Sequence, residues 1–445
     1  VIVFSCEAES IIAITEACSP RPDNNRRRFA RDVWSAPPPL AAPRRNWQSP
    51  RMTFKRLPLL LGFVIAVGPV STDMYLPAFP AIARDFHNGA APQYALAAYF
   101  VGLAIGQMTQ GALSDRLGRR GPLLAGLIIY TAASLGCALS WNVPSFAVFR
   151  FLAAAGGSAG LVIPRAMVRD LTDGPAAAKM FSKLMLVMGV APILAPMLGA
   201  MVVDFFSWRM IFVAAAGYGV VAGWLVWRFL PDTLPPERRT RIGPLSVVVR
   251  YAAICRERAF ISHAATGAFT SACLFAYLAA TPQIFIGGYG WSTAEYAALF
   301  GLNSFAYIGY NQLNPLLVNR FGVGPVITVA VGILLAACAL IAVLAWRLAG
   351  PLPLVAALLL SEAGFGLITP CAMVGALSRH QAHAGSASAL LGTMQYGGGA
   401  VAGLAMGVLA DGSARPMGAA MLLCAIAAVL AACARPKLHF VLAET

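Results

Sequence analysis

Gly111-Ala-Leu-Ser-Asp115-Arg116-Leu-Gly118-Arg119-Arg120-Gly121 sets an aspartate and a group of arginines between two long apolar segments. Charges at the boundary of a bilayer are costly unless they are paired or face water. The stretch therefore reads as a basic turn that joins two membrane helices.

The surrounding chain agrees. It is 59% hydrophobic and 11% charged, with mean hydropathy +0.71, whereas a soluble domain is about 25% charged. A helix that crosses the hydrocarbon core needs about 20 mostly apolar residues. Windows of that kind fall at 57–79, 93–113, 122–140, 144–166, 180–203 and 208–230, and again at 260–286, 293–318, 325–346, 352–378, 387–410 and 415–435. These are spans one to twelve, six on each side of a charged connector. The expected fold is all-α and integral to the membrane: an N-terminal six-helix bundle over 52–230, a linker over 231–258, a C-terminal bundle over 259–437 and a short tail over 438–445.

Basic residues orient the chain. With both termini in the cytoplasm, the inner loops and linker hold Arg116, Arg119, Arg120, Arg165, Arg169, Arg238, Arg239, Arg320 and others, while the outer loops hold only Arg84, Arg209, Arg347 and Arg415. The net charge of +15 thus reflects membrane topology. Nucleic acid is not an expected partner, because the basic residues are spread over loops on one membrane face.

Residues 1–51 fall outside this pattern. They are rich in Pro and Arg, and all 15 Met residues lie at Met52 or later. The expectation is that translation starts at Met52 and that 1–51 is a disordered or artefactual extension; intact mass of the expressed protein checks it, and a mass that includes Val1–Arg51 argues against an artefact. The nine Cys residues form no C-x-x-C or Cys/His pattern, so neither a disulfide framework nor a metal site is expected.

The two halves echo each other. Ser114-Asp115-Arg116-Leu117-Gly118 precedes Gly121-Pro122, and Val318-Asn319-Arg320-Phe321-Gly322 precedes Gly324-Pro325. Gly189 and Gly199 in span five have a Gly-rich counterpart between Gly392 and Gly407 in span eleven. Parallel repeats of six helices are the architecture of alternating-access transporters, with the site near the midplane between halves.

Ionisable groups inside spans are functional candidates by default. Asp73 lies in Val70-Ser-Thr-Asp-Met-Tyr75-Leu-Pro77, framed by Gly68-Pro69 and Pro77, which predict a bent helix around it. It is a candidate for proton or substrate coupling; the competing role is a structural carboxylate that caps a neighbouring helix. Arg150 opens a run of small residues in span four and would form a proton switch if it met Asp73; the competing role is snorkelling to the interface. Glu362, midway along span ten, is a second protonation site or a counter-ion for cationic drugs, or else a neutral acid bonded within the bundle. In span five Gly189, Ala191, Pro192, Ala195, Pro196 and Gly199 describe a bent helix with a small-residue face, able to seal against leak between halves. Tyr75, Tyr99, Met188, Tyr277, Tyr307, Tyr310 and Tyr396 are candidates for an aromatic and Met-lined substrate pocket.

Together these features resemble the major facilitator superfamily and, within it, the Bcr/CflA-type drug:proton antiporters of twelve spans. The spacing in Gly111–Arg120 is that of the loop between the second and third helices of such transporters. The subfamily resemblance rests on Thr72-Asp73-Met74-Tyr75-Leu76-Pro77, on Arg165-Ala-Met-Val-Arg169-Asp170, and on Ala191-Pro192-x-x-Ala195-Pro196-x-x-Gly199 followed by Trp208-Arg209-x-Ile-Phe212. It implies export of a small amphipathic compound (phenicol-, bicyclomycin- or sulfonamide-like, or a metabolite), driven by protons, by a monomer that needs the lipid bilayer and no cofactor beyond the proton gradient. It assigns coupling to Asp73 and Arg150. It implies a conformational switch in which Gly111, Asp115, Arg116, Gly118, Arg119 and Arg120 work with Arg165, Arg169 and Asp170, Asp115 pairing with Arg residues at the end of span four and with the start of span eleven near Gly385-Ser386 to lock the outward-open state. Ala195 and Ala200 stand where the general antiporter motif has glycines, Cys371 stands where relatives often have Asn, and Glu362 is not expected from the subfamily. A nutrient importer is disfavoured because importers usually lack the Pro pattern of span five. No nucleophile elbow, phosphate loop or convergent His/Asp/Cys set is present, so neither an enzyme nor an ATP-driven pump is expected.

Overall fold

A computed structural model describes residues 57–172, 174–239, 244–348, 350–380 and 384–436. The expected extension 1–51 and tail 438–445 lie outside the described residues. Ten of the described helical segments are long and apolar enough to cross a membrane. The two further spans are present as helices Thr293–Phe321 (span eight) and Ala384–Leu409 (span eleven). They are less apolar for a structural reason. Span eight packs on span five and span eleven on span two, so these helices form the seam between the halves; Asn303 and Asn314 are buried in the protein and Gln395 is half-buried.

Span one, Leu57–Asp85, is not one continuous helix. It runs as Leu57–Ile65 and Val67–Thr72, turns through Asp73–Tyr75, passes a single 3-10 turn at Leu76–Ala78 and resumes at Phe79–Asp85. Pro69, Pro77 and Pro80 remove backbone donors along this stretch, which accounts for the break. The remaining spans are Ala91–Leu117, Arg120–Ala138, Val143–Leu171, Gly174–Phe205 and Arg209–Phe229 in the first half. Span seven is Arg258–Pro282, continued by a wider turn at Gln283–Gly288. Val323–Trp346, Pro351–Leu377 and Arg415–Cys433 are spans nine, ten and twelve.

The internal repeat is visible in the packing. In the first half span two lies on four, three on four and on six, and one on five. In the second half eight lies on ten, nine on ten and on twelve, and seven on eleven. The two seams, two with eleven and five with eight, exchange under the same correspondence. The repeat extends to single dihedrals: Gly118 ends span two at φ +95° and ψ 171°, and Gly322 ends span eight at φ +82° and ψ 162°. Side chains rarely adopt that conformation, so glycine is required at both turns.

Two differences from the sequence reading concern the Gly111–Gly121 stretch and the connector. Span two remains helical to Leu117 and span four to Leu171, so Asp115, Arg116, Arg165, Arg169 and Asp170 project from helices, and the turn proper is confined to Gly118 and Arg119. Part of the connector is helical, Pro244–Cys255, and its Tyr251 and Ile254 pack with Phe260 of span seven and Leu390 and Leu391 of span eleven.

Candidate functional site

At the centre of the first half Arg150, the eighth residue of the span-four helix, is 1% exposed. Its guanidinium lies 4.3 Å from the Tyr75 ring centroid, 4.2 Å from that of Tyr99 and 5.6 Å from that of Phe212. Nη1 donates to the Ser71 carbonyl at 3.0 Å, while Nε and Nη2 are buried with no hydrogen-bond partner among the described residues. A desolvated cation on aromatic faces is worth about 2 kcal/mol per good contact. Asp73, 7% exposed, stands at the broken turn two residues from Ser71. No ion pair joins Asp73 and Arg150 among the described residues: the rings and the Ser71 carbonyl take the guanidinium instead. The small residues after Arg150 do allow close packing, with Gly156 facing the backbone of Gly126 in span three.

Span five grips the same turn. Pro192 and Pro196 lie within its helix, and Ala195, Gly199 and Ala200 are buried. Gly199 meets the Met74 carbonyl so closely that a Cβ would collide with that oxygen. Other residues of span five face span eight: Gly189 approaches Ile308, and Ile193 lies 3.7 Å from where a Cβ on Gly301 would be. The expected antiporter motif therefore bridges the turn that carries Asp73 and the seam between halves.

In the second half Glu362 is 2% exposed and makes no ion pair among the described residues. It lies close enough to Tyr277, Cys273 and Tyr307 to interact with them electrostatically. Tyr277 accepts a hydrogen bond from Asn303 Nδ2 at 2.7 Å and stacks on Phe300.

The expected aromatic pocket is only partly assembled. Tyr75 is fully buried, with its hydroxyl on the Pro92 carbonyl at 3.2 Å, and Tyr99 lies under Arg150. Tyr307, Tyr310 and Met188 are half-buried. Tyr396 stacks with Phe275 at 5.9 Å and Phe100 at 6.1 Å, and Phe100 lies 4.1 Å from Phe275. This cluster joins spans two, seven and eleven across the halves. Sequence reading missed Phe100 and Phe275, since an isolated Phe in an apolar helix carries no signal of which neighbour it meets.

The switch residues form a hub around Arg119, which is 6% exposed. Its guanidinium binds Asp170 (Nε to Oδ2, 2.7 Å), Asp115 and the Ser114 hydroxyl (3.0 Å), and its backbone N–H donates to Asp232 Oδ1 at 2.8 Å. These partners outweigh burial, so the guanidinium holds its proton more tightly than a free one. Thr233 donates to Asp170 at 3.0 Å, and Arg239 pairs with Asp232 at 3.1 Å. Arg120 donates to the Trp227 carbonyl. Sequence reading missed Asp232 and Thr233, although an acid next to Pro231 just beyond an apolar span was a local signal. The pairing that resemblance implies for the outward-open state is not formed in this arrangement, which is open at this end: Asp115 pairs with Arg119, and Arg165 and Arg169 make no ion pair among the described residues. A cavity of about 240 Å³ opens between the halves at this end, lined by Asp115, Arg165, Arg169, Arg250, Ser386 and others.

At the opposite end the halves are joined. Gln93 Nε2 donates to the Ala279 carbonyl at 3.2 Å, Gln283 to the Gly89 carbonyl, and Thr293 to Asp204 Oδ1 at 2.6 Å. The structure is thus open toward the Arg119 end and closed at the Asp204 end. His263, buried, bonds through Nδ1 to the Ala259 carbonyl at 2.8 Å and is a satisfied core residue.

Comparison with known proteins agrees with this architecture. Residues 61–403 match the model of the Major Facilitator Superfamily. The chain is 35% identical over 383 residues to the MFS-type transporter YdgK of Bacillus subtilis, covering 84% of this chain and 94% of that protein. It is 29% identical to a bicyclomycin resistance protein homolog of Haemophilus influenzae, with 84% and 94% covered. A crystal structure of a D-xylose-proton symporter superposes with a TM-score of 0.68 over 84% of this chain and 97% of that chain; at 15% identity this likeness concerns the fold. The two repeated bundles, the Arg119 turn and the family match establish a multi-pass membrane transporter, and the chain belongs to the Major Facilitator Superfamily.

Proposed function

We propose that this chain is a proton-coupled antiporter that exports small amphipathic compounds of the bicyclomycin and phenicol kind from a bacterial cell by alternating access. The observation that carries the reading is the contact of Gly199 with the Met74 carbonyl. Span five touches the turn holding Asp73 on one side and span eight on the other, so rocking of the halves against each other is transmitted to the coupling acid. Resemblance of the relatives named for drug resistance supports the substrate class. The positive-inside rule supports a cytoplasmic Arg119 end, with both termini on that side of the inner membrane. The transporter works as a monomer, since each half already finds its partner across the two seams. In this reading Asp73, Arg150 and Glu362 handle protons and charge, and the Arg119 hub sets the conformation. Asp73 takes a proton from outside as substrate leaves on that side, the halves rearrange, and the proton is released inside as the next substrate binds.

A second reading, transport of a specific anionic metabolite, has one observation in its favour: Arg165, Arg169 and Arg250 line the open cavity and make no ion pair among the described residues. Accumulation of labelled bicyclomycin and labelled chloramphenicol in an efflux-deficient bacterium separates the two. Low accumulation that rises with an uncoupler supports drug export. Accumulation equal to the empty vector, with the protein confirmed in the membrane, turns the assignment to a metabolite.

A further inference from the structure

Spans seven, eleven and twelve leave a groove of about 730 Å³ on their outer side, away from the cavity between the halves. Its floor is made of Ala268, Ala272, Gly398, Ala402 and Ala420, whose small side chains create the recess. Its rim carries Phe269, Val401 and Leu423, which are 40%, 70% and 67% exposed. On membrane helices such faces meet lipid chains, because no water is present to cover them. One end of the groove is charged. Arg415, the first residue of the span-twelve helix, lines it together with Asp411 and Trp346. The Arg415 guanidinium lies 5.5 Å from the Trp346 ring centroid, and its Nε is buried with no hydrogen-bond partner among the described residues. Asp411 is exposed and accepts from the Ser413 N–H at 2.8 Å through Oδ1. Hydrogen bonds from Ser413 hold its carboxyl below the ordinary range, so it stays charged. Trp346, 64% exposed, is the type of side chain that marks the level of the lipid headgroups.

We infer that this groove binds one membrane phospholipid whose headgroup carries both a phosphate and a primary ammonium, its acyl chain lying along the alanine floor, its phosphate on Arg415 and its ammonium on Asp411. The apolar length suits a chain and excludes a hydrated ligand. The charge pattern selects the headgroup: an anionic lipid would meet Asp411 with like charge, and a quaternary ammonium has no N–H to donate to it. Arg415 supplies a forked donor set that matches phosphate, and the start of span twelve adds the positive end of a helix dipole.

The test is native mass spectrometry of the delipidated full chain, titrated in parallel with phosphatidylethanolamine, phosphatidylcholine and phosphatidylglycerol. One phosphatidylethanolamine should be retained about tenfold more strongly than the other two, the discrimination of one charge-assisted pair. Arg415→Gln should lose the adduct, Asp411→Asn should lose the preference over phosphatidylglycerol, and Ala405→Phe, which fills the groove from a partly exposed position, should lose lipid of any headgroup. Arg415→Lys keeps the charge and controls for folding, and should retain part of the binding. Equal retention of all three lipids by the wild type overturns the proposal. So does an adduct unchanged by both Arg415→Gln and Ala405→Phe. Displacement of the lipid by bicyclomycin at matched concentration would give the groove to substrate instead. The readout is lipid mass alone, so it stands or falls independently of drug export.

Discussion

Gly199 of span five lies directly against the carbonyl oxygen of Met74, the residue after Asp73 in the broken turn of span one. A helix that carries Pro192 and Pro196 thereby touches the backbone of the turn that holds the buried acid. Neither residue needs a side-chain bond for this: the contact exists because one has no Cβ and the other lies outside a regular helix.

Gly199→Ala should therefore force the two elements apart. A methyl group against a fixed backbone oxygen is overpacking, with a cost of about 1–3 kcal/mol. Gly189→Ala on the same helix meets Ile308 no closer than 3.6 Å, an ordinary contact, and should be neutral or slightly stabilising through helix propensity. Thermal unfolding of the two purified variants checks the contrast; equal melting temperatures would remove the steric argument.

Arg119 should depend on its acids unequally. The Asp170 side chain is 16% exposed and the Asp115 side chain 48%. Asp170→Asn leaves a largely buried guanidinium underpaired and should cost about 2 kcal/mol, while Asp115→Asn, screened by water, should cost less than about 1 kcal/mol. Denaturation measured on both variants decides the order, and a reversed order would contradict the hub as described.

Arg150 should be intolerant of Lys. An ammonium keeps the charge but cannot lay a planar face on Tyr75 and Tyr99 while reaching the Ser71 carbonyl. Arg150→Lys should reduce uphill transport at least about tenfold, the loss of roughly one desolvated cation–π contact. Tyr99→Phe keeps the ring face and should retain transport, and Tyr99→Leu should behave like Arg150→Lys. Uptake into energised inverted vesicles, with protein levels matched, measures this. Transport by Tyr99→Leu at the wild-type level would show that the ring face has no part in it.

Asp73→Asn replaces a carboxylate by a group of equal size and should leave the protein folded and inserted. It should abolish uphill export while leaving exchange of labelled for unlabelled substrate across the membrane. Glu362→Gln should instead change which compounds are carried, because Glu362 lies among Cys273, Tyr277 and Tyr307 of the second half, and both tyrosines are candidates for the substrate pocket. Full uphill export by Asp73→Asn would take that acid out of the mechanism.

The sequence by itself determined the number and order of the spans, their limits within a few residues, the six-plus-six repeat and the position of the Arg119 turn. Hydropathy over about 20 residues and the requirement that backbone groups in lipid be satisfied within a helix leave little else possible. The bend at Asp73 was also legible, since Pro69 and Pro77 act locally. Only the tertiary structure decided which groups meet. Arg150 lies on Tyr75 and Tyr99 without an ion pair to Asp73, Arg119 draws Asp232 from beyond span six, and Phe100, Phe275 and Tyr396 stack across the halves. In water an apolar stripe tells which helix face is buried. In a bilayer the lipid-facing side is as apolar as the packed side, so that periodic signal is lost and the neighbours of each side chain are settled by shape and by the few polar groups that need partners.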